Sequence, residues 1–135
     1  MRGSRAAAAL RDAAVKGPLR EAPPVERFDV FDVRQVTRGT PLESLVAADL
    51  VSIAPHSTSE VHRHNRSETV LYIVAGMGRV RVGEEWFDVR AGDRVLIGRG
   101  VFHGLATGDQ ALDFLSVQSP PILDESTGQL DLEPR

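Results

Sequence analysis

The sequence contains no cysteine. That excludes a disulfide framework, a thiolate metal site and a cysteine nucleophile. It also lacks a long hydrophobic run. The longest, residues 70–75, is far short of the ~20 apolar residues that a membrane helix requires. Lysine is almost absent, since fifteen of the sixteen basic residues are arginine and only Lys16 is lysine. Arginine suits bidentate anion recognition, but an excess spread along the whole chain is better read as compositional bias. No excess of positive charge exists either. The net charge is −3, which argues against non-specific nucleic-acid binding as the main activity. What remains is 135 residues with 41% hydrophobic and 26% charged side chains. That is ordinary globular composition and enough chain for one domain with one real core.

The charge is unevenly placed. Residues 1–27 carry six basic and three acidic side chains, residues 28–118 nine and twelve, and residues 119–135 one and four. Residues 5–16 (RAAAALRDAAVK) suit about three turns of helix, ended by Gly17-Pro18, and Pro23-Pro24 adds a stiff spacer. The apolar stretch there is too short for a secretory signal, so cytoplasmic residence is the default expectation. Residues 119–135 (SPPILDESTGQLDLEPR) read as an acidic tail that packs partly along the surface or stays disordered. The expected organisation is an amino-terminal arm over 1–27, a β domain over 28–118 and a tail over 119–135.

Between the two ends, short runs of β-formers are punctuated by glycine-rich turns. Strands are expected near 28–36, 45–54, 60–64, 69–75, 79–82, 86–89, 94–97, 103–107 and 111–117. Many short strands at close spacing, with no helical period, predict an all-β antiparallel sandwich or barrel.

Three of the four histidines carry the chemistry. His62 and His64 are two apart in a strand-like segment, so both imidazoles lie on one face, a few ångströms apart. Such a pair fills a core poorly and binds a borderline divalent cation well. Glu68 opens the most apolar strand, where a carboxylate needs a cation or hydrogen bonds to compensate it. His103 follows the turn Gly98-Arg99-Gly100 and starts another strand. A barrel can bring it opposite the first three. Each residue alone has a plainer reading, as a surface or hydrogen-bonded side chain. The whole pattern is far more specific. His56, in the polar loop 55–59, is read as a non-ligand.

Residues 61–68 (VHRHNRSE), running on to Tyr72 and Gly76, resemble the first motif of the cupin family. Residues 91–103 (AGDRVLIGRGVFH) resemble its second, and the match covers roughly residues 54–107. The resemblance implies a double-stranded β-helix, or jelly-roll, barrel with one divalent metal per chain, bound by His62, His64, Glu68 and His103. Mn, Fe, Ni and Zn all suit these ligands. There are departures. Seven residues rather than the commoner six separate Glu68 from Gly76, which bears on the hairpin register, and Gly98 stands where proline is typical. The tyrosine that some cupin lyases place two residues after the glutamate is missing.

If Glu68 faces inward, alternation brings Val70, Tyr72 and Val74 into the pocket, joined by Leu105 and by one face of the last strand with Leu112, Phe114 and Ser116. Tyr72 is then the candidate general acid/base, and Arg99 the candidate anchor for an anionic substrate at the mouth. The expected function is metal-dependent chemistry on a small organic molecule, foremost of the oxidoreductase or dioxygenase kind. A non-catalytic small-ligand or metal-sensing module, or an isomerase or decarboxylase, is the alternative. The resemblance also implies a homodimer, with Leu71 and Ile73 expected on the outer, pairing face. Neither nucleic acid nor membrane is an expected partner.

Overall fold

The computed structural model describes residues 16–18, 25–124 and 126–135. The expected arm over 1–27 lies mostly outside the described residues. Those described form strands and turns, and no helix among them is long and apolar enough to cross a membrane. The strands are β1 (Glu26–Phe28), β2 (Phe31–Gln35), β3 (Ala47–Ile53), β4 (His62–Arg63), β5 (Glu68–Val82) and β6 (Glu85–Arg90). They continue with β7 (Arg94–Ile97), β8 (His103–Ala106), β9 (Leu112–Ser119), β10 (Leu123–Asp124), β11 (Gln129–Leu130) and β12 (Glu133–Pro134).

One antiparallel sheet curls through the order β1-β2-β3-β9-β5-β8-β4-β12, with β6 and β7 also paired to β5. This is the all-β, curled antiparallel architecture that the resemblance implies. The hinge of the curl is β5. Two separate strands were expected over 69–75 and 79–82, yet a single strand of 15 residues spans both. Its first half pairs with β7 and β9, its second with β6 and β8. A bulge interrupts the ladder between Ile73 and Ala75. A bulge adds one residue to one strand and so reverses which residues face inward. Before it, Thr69, Leu71 and Ile73 are buried; after it, Val80 is. Gly76 then sits at φ +83°, where a Cβ would overlap the Ala111 carbonyl oxygen, so this close approach admits only glycine.

The inward residues of the two halves form one core, with Ile53, Ile73, Val80 and Leu112 wholly buried and Phe31, Leu71 and Phe114 packed around them. Burying each such side chain contributes about 1.5–3 kcal/mol. Pairing extends past the limits expected for the β domain on both sides. β1 starts at Glu26, and β12 comes from the tail to pair with β4, Glu133 opposite Arg63 and Pro134 opposite His62. The tail is held there by the Arg63–Glu133 ion pair at 2.8 Å and by the Arg135 N–H, which donates to the Val61 carbonyl at 2.9 Å.

Candidate metal centre

The three histidines converge because two short strands are paired through them. His62 on β4 lies directly opposite His103 on β8, and His64 follows two residues beyond His62 on the same face. Their ring centroids are 4.6–5.0 Å apart, and one nitrogen from each ring lies within 4.8 Å of the other two. All three side chains are buried.

Each ring is oriented by the backbone. His64 Nδ1–H donates to the Asp131 carbonyl at 2.7 Å and His103 Nδ1–H to the Val101 carbonyl at 3.0 Å. The His62 ring bonds the backbone of Glu60. A carbonyl only accepts, so the nitrogen facing it carries the proton and the other nitrogen keeps its lone pair for the cluster. Burial, then the neighbouring His103 and His64, push His62 down to about 3. Burial pushes His103 down to about 4, against its bond to Val101, and also lowers His64. Three neutral, backbone-anchored imidazoles with converging lone pairs suit a borderline divalent cation. The group could hold a metal ion.

Glu68 does not join them. Its carboxylate is more than half exposed, accepts the Arg99 backbone N–H at 3.0 Å and lies 3.4 Å from Arg99 Nε. Arg99 is accordingly part of an outer turn with Glu68 and not of the cavity lining. The cause lies in the loop before β5. The carboxylate of Asp131 accepts the N–H groups of Asn65, Arg66 and Ser67 at 2.7, 2.9 and 3.1 Å, which coils the chain there. The strand therefore enters with Thr69 inward, paired with Gln118, and Glu68 on the outer side. The alternation that was expected runs in the opposite phase. Val70, Tyr72 and Val74 are 40%, 48% and 51% exposed on the outer face, so Tyr72 is in no position to exchange protons in the cavity. Leu71 and Ile73, expected on the outer face, are buried. Leu105 and Phe114 do line the cavity. His56 is exposed, beside Asp109 at 3.7 Å, and outside the cluster.

Three of the polar residues that the barrel turns inward, Thr69, Gln118 and Asp49, were not expected there, whereas Ser116 was. Thr69, Gln118, Ser116 and Asp49 line a cavity of about 340 Å³ together with the histidines. Leaving the commoner six residues before Gly76 lands on Thr69, so the seven-residue spacing after Glu68 was the available signal. Thr69 Oγ1 is the one buried side-chain polar atom among the described residues with no hydrogen-bond partner. Gln118 Nε2 lies 3.3 Å from His64 Nε2, onto whose lone pair its N–H donates. Along the next row of the sheet, Leu71, Ser116, Asp49 and Gln35 are cross-strand neighbours.

Burial, with a smaller contribution from Glu26, raises Asp49 to about 6. Its folded value stands above its unfolded one, so its contribution to stability is full below about pH 4 and is lost as pH rises through 6. Asp49→Asn removes that penalty. At pH 8 the variant should be more stable than the parent by about 1 kcal/mol after allowance for partial exposure, or roughly 3–5 °C in Tm. The gap should close by pH 4. Thermal melts between pH 4 and 8 check this, and a gap that does not vary with pH contradicts it.

The chain belongs to the cupin family: the family model described as "Cupin domain" matches residues 49–118, just over half of it. No curated protein matches. Among solved structures, the Streptomyces nucleoside dehydratase Pac13 is similar with a TM-score of 0.71 and 14% identity, over 91% of this chain and 92% of that one. A Thermotoga maritima protein predicted to be an oxalate decarboxylase has a TM-score of 0.70 and 18% identity, over 78% and 99%. An Acidithiobacillus ferrooxidans protein described as a sugar phosphate isomerase has a TM-score of 0.60 and 21% identity over 66% of this chain, which spans 58% of that protein's length. At these identities the likeness is one of fold.

Proposed function

We propose that this protein is a metal-dependent cupin acting on a small organic molecule, with His62, His64 and His103 holding one divalent ion of Mn, Fe, Ni or Zn per chain. The observation that carries the reading is the set of three neutral imidazoles, each fixed by a backbone carbonyl, converging in the wall of a largely apolar cavity. When bound, the ion supplies Lewis-acid polarisation or oxygen chemistry at its open positions. The chain's own residues do the rest. Leu71, Leu105 and Phe114 exclude water, while Thr69, Gln118 and Ser116 offer hydrogen bonds along one wall. Among the reactions such an ion supports, the imidazole-rich ligand set favours an oxidoreductase of the dioxygenase kind.

A second reading, a proton-shifting isomerase or decarboxylase, is favoured by Asp49. Its carboxyl is raised to about 6 and lines the cavity, where it can take and return a proton near neutral pH. Oxygen uptake by iron- or manganese-loaded protein across phenolic, thiol and diketone substrates separates the two readings.

The protein is also proposed to be a homodimer, pairing through the outer face that Val70, Tyr72, Leu96 and Leu50 expose. Cross-strand pairing makes that face continuous. Leu96 adjoins Val70, Val70 adjoins Val117, and Tyr72 adjoins Leu115, which adjoins Leu50. A two-fold contact between copies would cover it. Purified protein should carry about one divalent ion per chain and sediment at twice the monomer mass. Absence of metal after reconstitution with all four ions would end the metal reading, and a monomer at micromolar concentration would end the dimer.

A further inference from the structure

We propose that the cavity holds a subsite for a primary ammonium group: Asp49 receives the charged nitrogen, Ser116 accepts a second of its hydrogens, and the apolar row beside them takes the carbon body. The substrate class is then an apolar primary amine. This rests on the small-molecule reading of the cavity and on no ion.

Strand pairing puts the parts side by side. Gln35 on β2, Asp49 on β3 and Ser116 on β9 are cross-strand partners and form one row across the inner face. Val33, Val51 and Phe114, two residues along the same strands, form the next row. All six line the cavity. Directly opposed residues have Cβ atoms about 4.5–5.5 Å apart. One nitrogen between Asp49 and Ser116 therefore reaches both side-chain oxygens, while its carbon substituent lies on the neighbouring row. The cavity, at about 340 Å³, leaves room for that body.

Charge selects a cation. Among the described residues nothing hydrogen-bonds or ion-pairs the Asp49 carboxylate. The other charged residues of the wall, apart from the three histidines, are Glu26, Arg27, Arg38 and Glu43. Arg27 donates to Asp32, Arg38 donates to Glu26 and Gln35, and Glu43 accepts the Gly39 N–H. Neither guanidinium lowers the Asp49 carboxyl, which burial and then Glu26 raise to about 6. At neutral pH it is ionised, partly stripped of water by folding, and beside a second negative charge. A hydroxyl on a ligand would satisfy its hydrogen bonding and leave its charge uncompensated. An ammonium does both, through hydrogen bonds about twice as strong as neutral ones. An anion is repelled. The fold gains nothing from this carboxylate, since Asp49→Asn is expected to be the more stable protein, and a residue kept against stability is the pattern of a ligand-binding group.

Benzylamine and its neutral counterpart benzyl alcohol provide the test, by calorimetric titration of the protein as purified. At pH 7.5 benzylamine should bind with a dissociation constant of about 1 mM or tighter, and benzyl alcohol at least about tenfold more weakly. Asp49→Asn keeps the shape of the wall. It should weaken benzylamine about tenfold or more, the worth of a hydrogen bond to a charged group, and leave benzyl alcohol within about twofold. The ammonium needs the ionised carboxylate, so affinity in the parent should fall about tenfold between pH 7.5 and pH 5, and this fall should be absent in Asp49→Asn. No binding of benzylamine at 10 mM, equal affinity for the alcohol, or parental affinity in Asp49→Asn overturns the proposal and leaves the metal reading standing. Benzylamine binding as expected in a protein that takes up none of the four ions ends the metal reading and leaves the subsite standing.

Discussion

His103→Ala is expected to lower divalent-metal affinity on the order of 10²–10³-fold, while His56→Ala leaves it unchanged, although each removes one imidazole. Apparent binding energies of structural zinc sites, about 10–16 kcal/mol over four ligands, imply roughly 2.5–4 kcal/mol for each. Here the loss is felt more, because only three side chains converge and two remain. His103 is also the cross-strand partner of His62, so its ring closes the site over the His62–His64 pair. The fold should survive, since the core residues Ile53, Ile73, Val80 and Leu112 are buried independently of any ion. His56 is exposed at φ 55°, where alanine is mildly strained. The control is therefore read from metal content and from the metal-dependent rise in Tm rather than from Tm alone. Equal metal retention by the two variants would show that His103 is not a ligand.

Asp131→Ala should cost about 2–4 kcal/mol of stability and about 10–100-fold in metal affinity, the second from a residue that touches no ion. Asp131 is nearly buried. Burial pushes its carboxyl up, but the N–H groups of Arg66, Asn65 and Ser67 and the Arg66 charge hold it below the usual carboxylate range. One residue thus does two things. Its carboxylate coils residues 65–67, and its carbonyl accepts the His64 Nδ1–H at 2.7 Å. Alanine keeps the carbonyl but frees the loop that positions it, so the His64 ring loses its fixed tautomer and direction. Asp131→Asn keeps the volume and one acceptor oxygen, and should fall between the parent and alanine in both measurements. Chemical denaturation and competitive metal titration read the two effects separately. Parental metal affinity in Asp131→Ala, at whatever stability, would mean that the tail does not position the site.

The legible part of this protein was what local chemistry dictates. Glycine-separated β-formers placed the strands between residues 45 and 117 within a few residues, because turn geometry and pleat periodicity are properties of short segments. The two-residue hairpin turn after Val82 is an example, with Gly83 at φ +61° where a positive angle is required. His62 and His64 share a face for the same local reason, and the resemblance of the second motif placed His103 beside them.

Tertiary structure decided the phase of β5, and with it half of the expected cavity lining. Whether Glu68 or Thr69 faces inward depends on how residues 65–67 are coiled. That is set by Asp131, which lies more than sixty residues downstream in a segment with no periodicity of its own. A slip of one residue moves every side chain of a strand to the opposite face. The outward placement of Glu68, Val70, Tyr72 and Val74 and the inward placement of Thr69, Leu71 and Ile73 are therefore a single event. Gln118 and Asp49 of the polar wall were hidden for a related reason: only the pairing of β9 with β3 and β5 brings those residues into the cavity of the histidines. The sequence by itself determined a cysteine-free, all-β cupin chain with three histidines in ligand positions. The long-range register decided which residues meet those histidines, because strand phase is fixed by contacts between segments far apart in the chain.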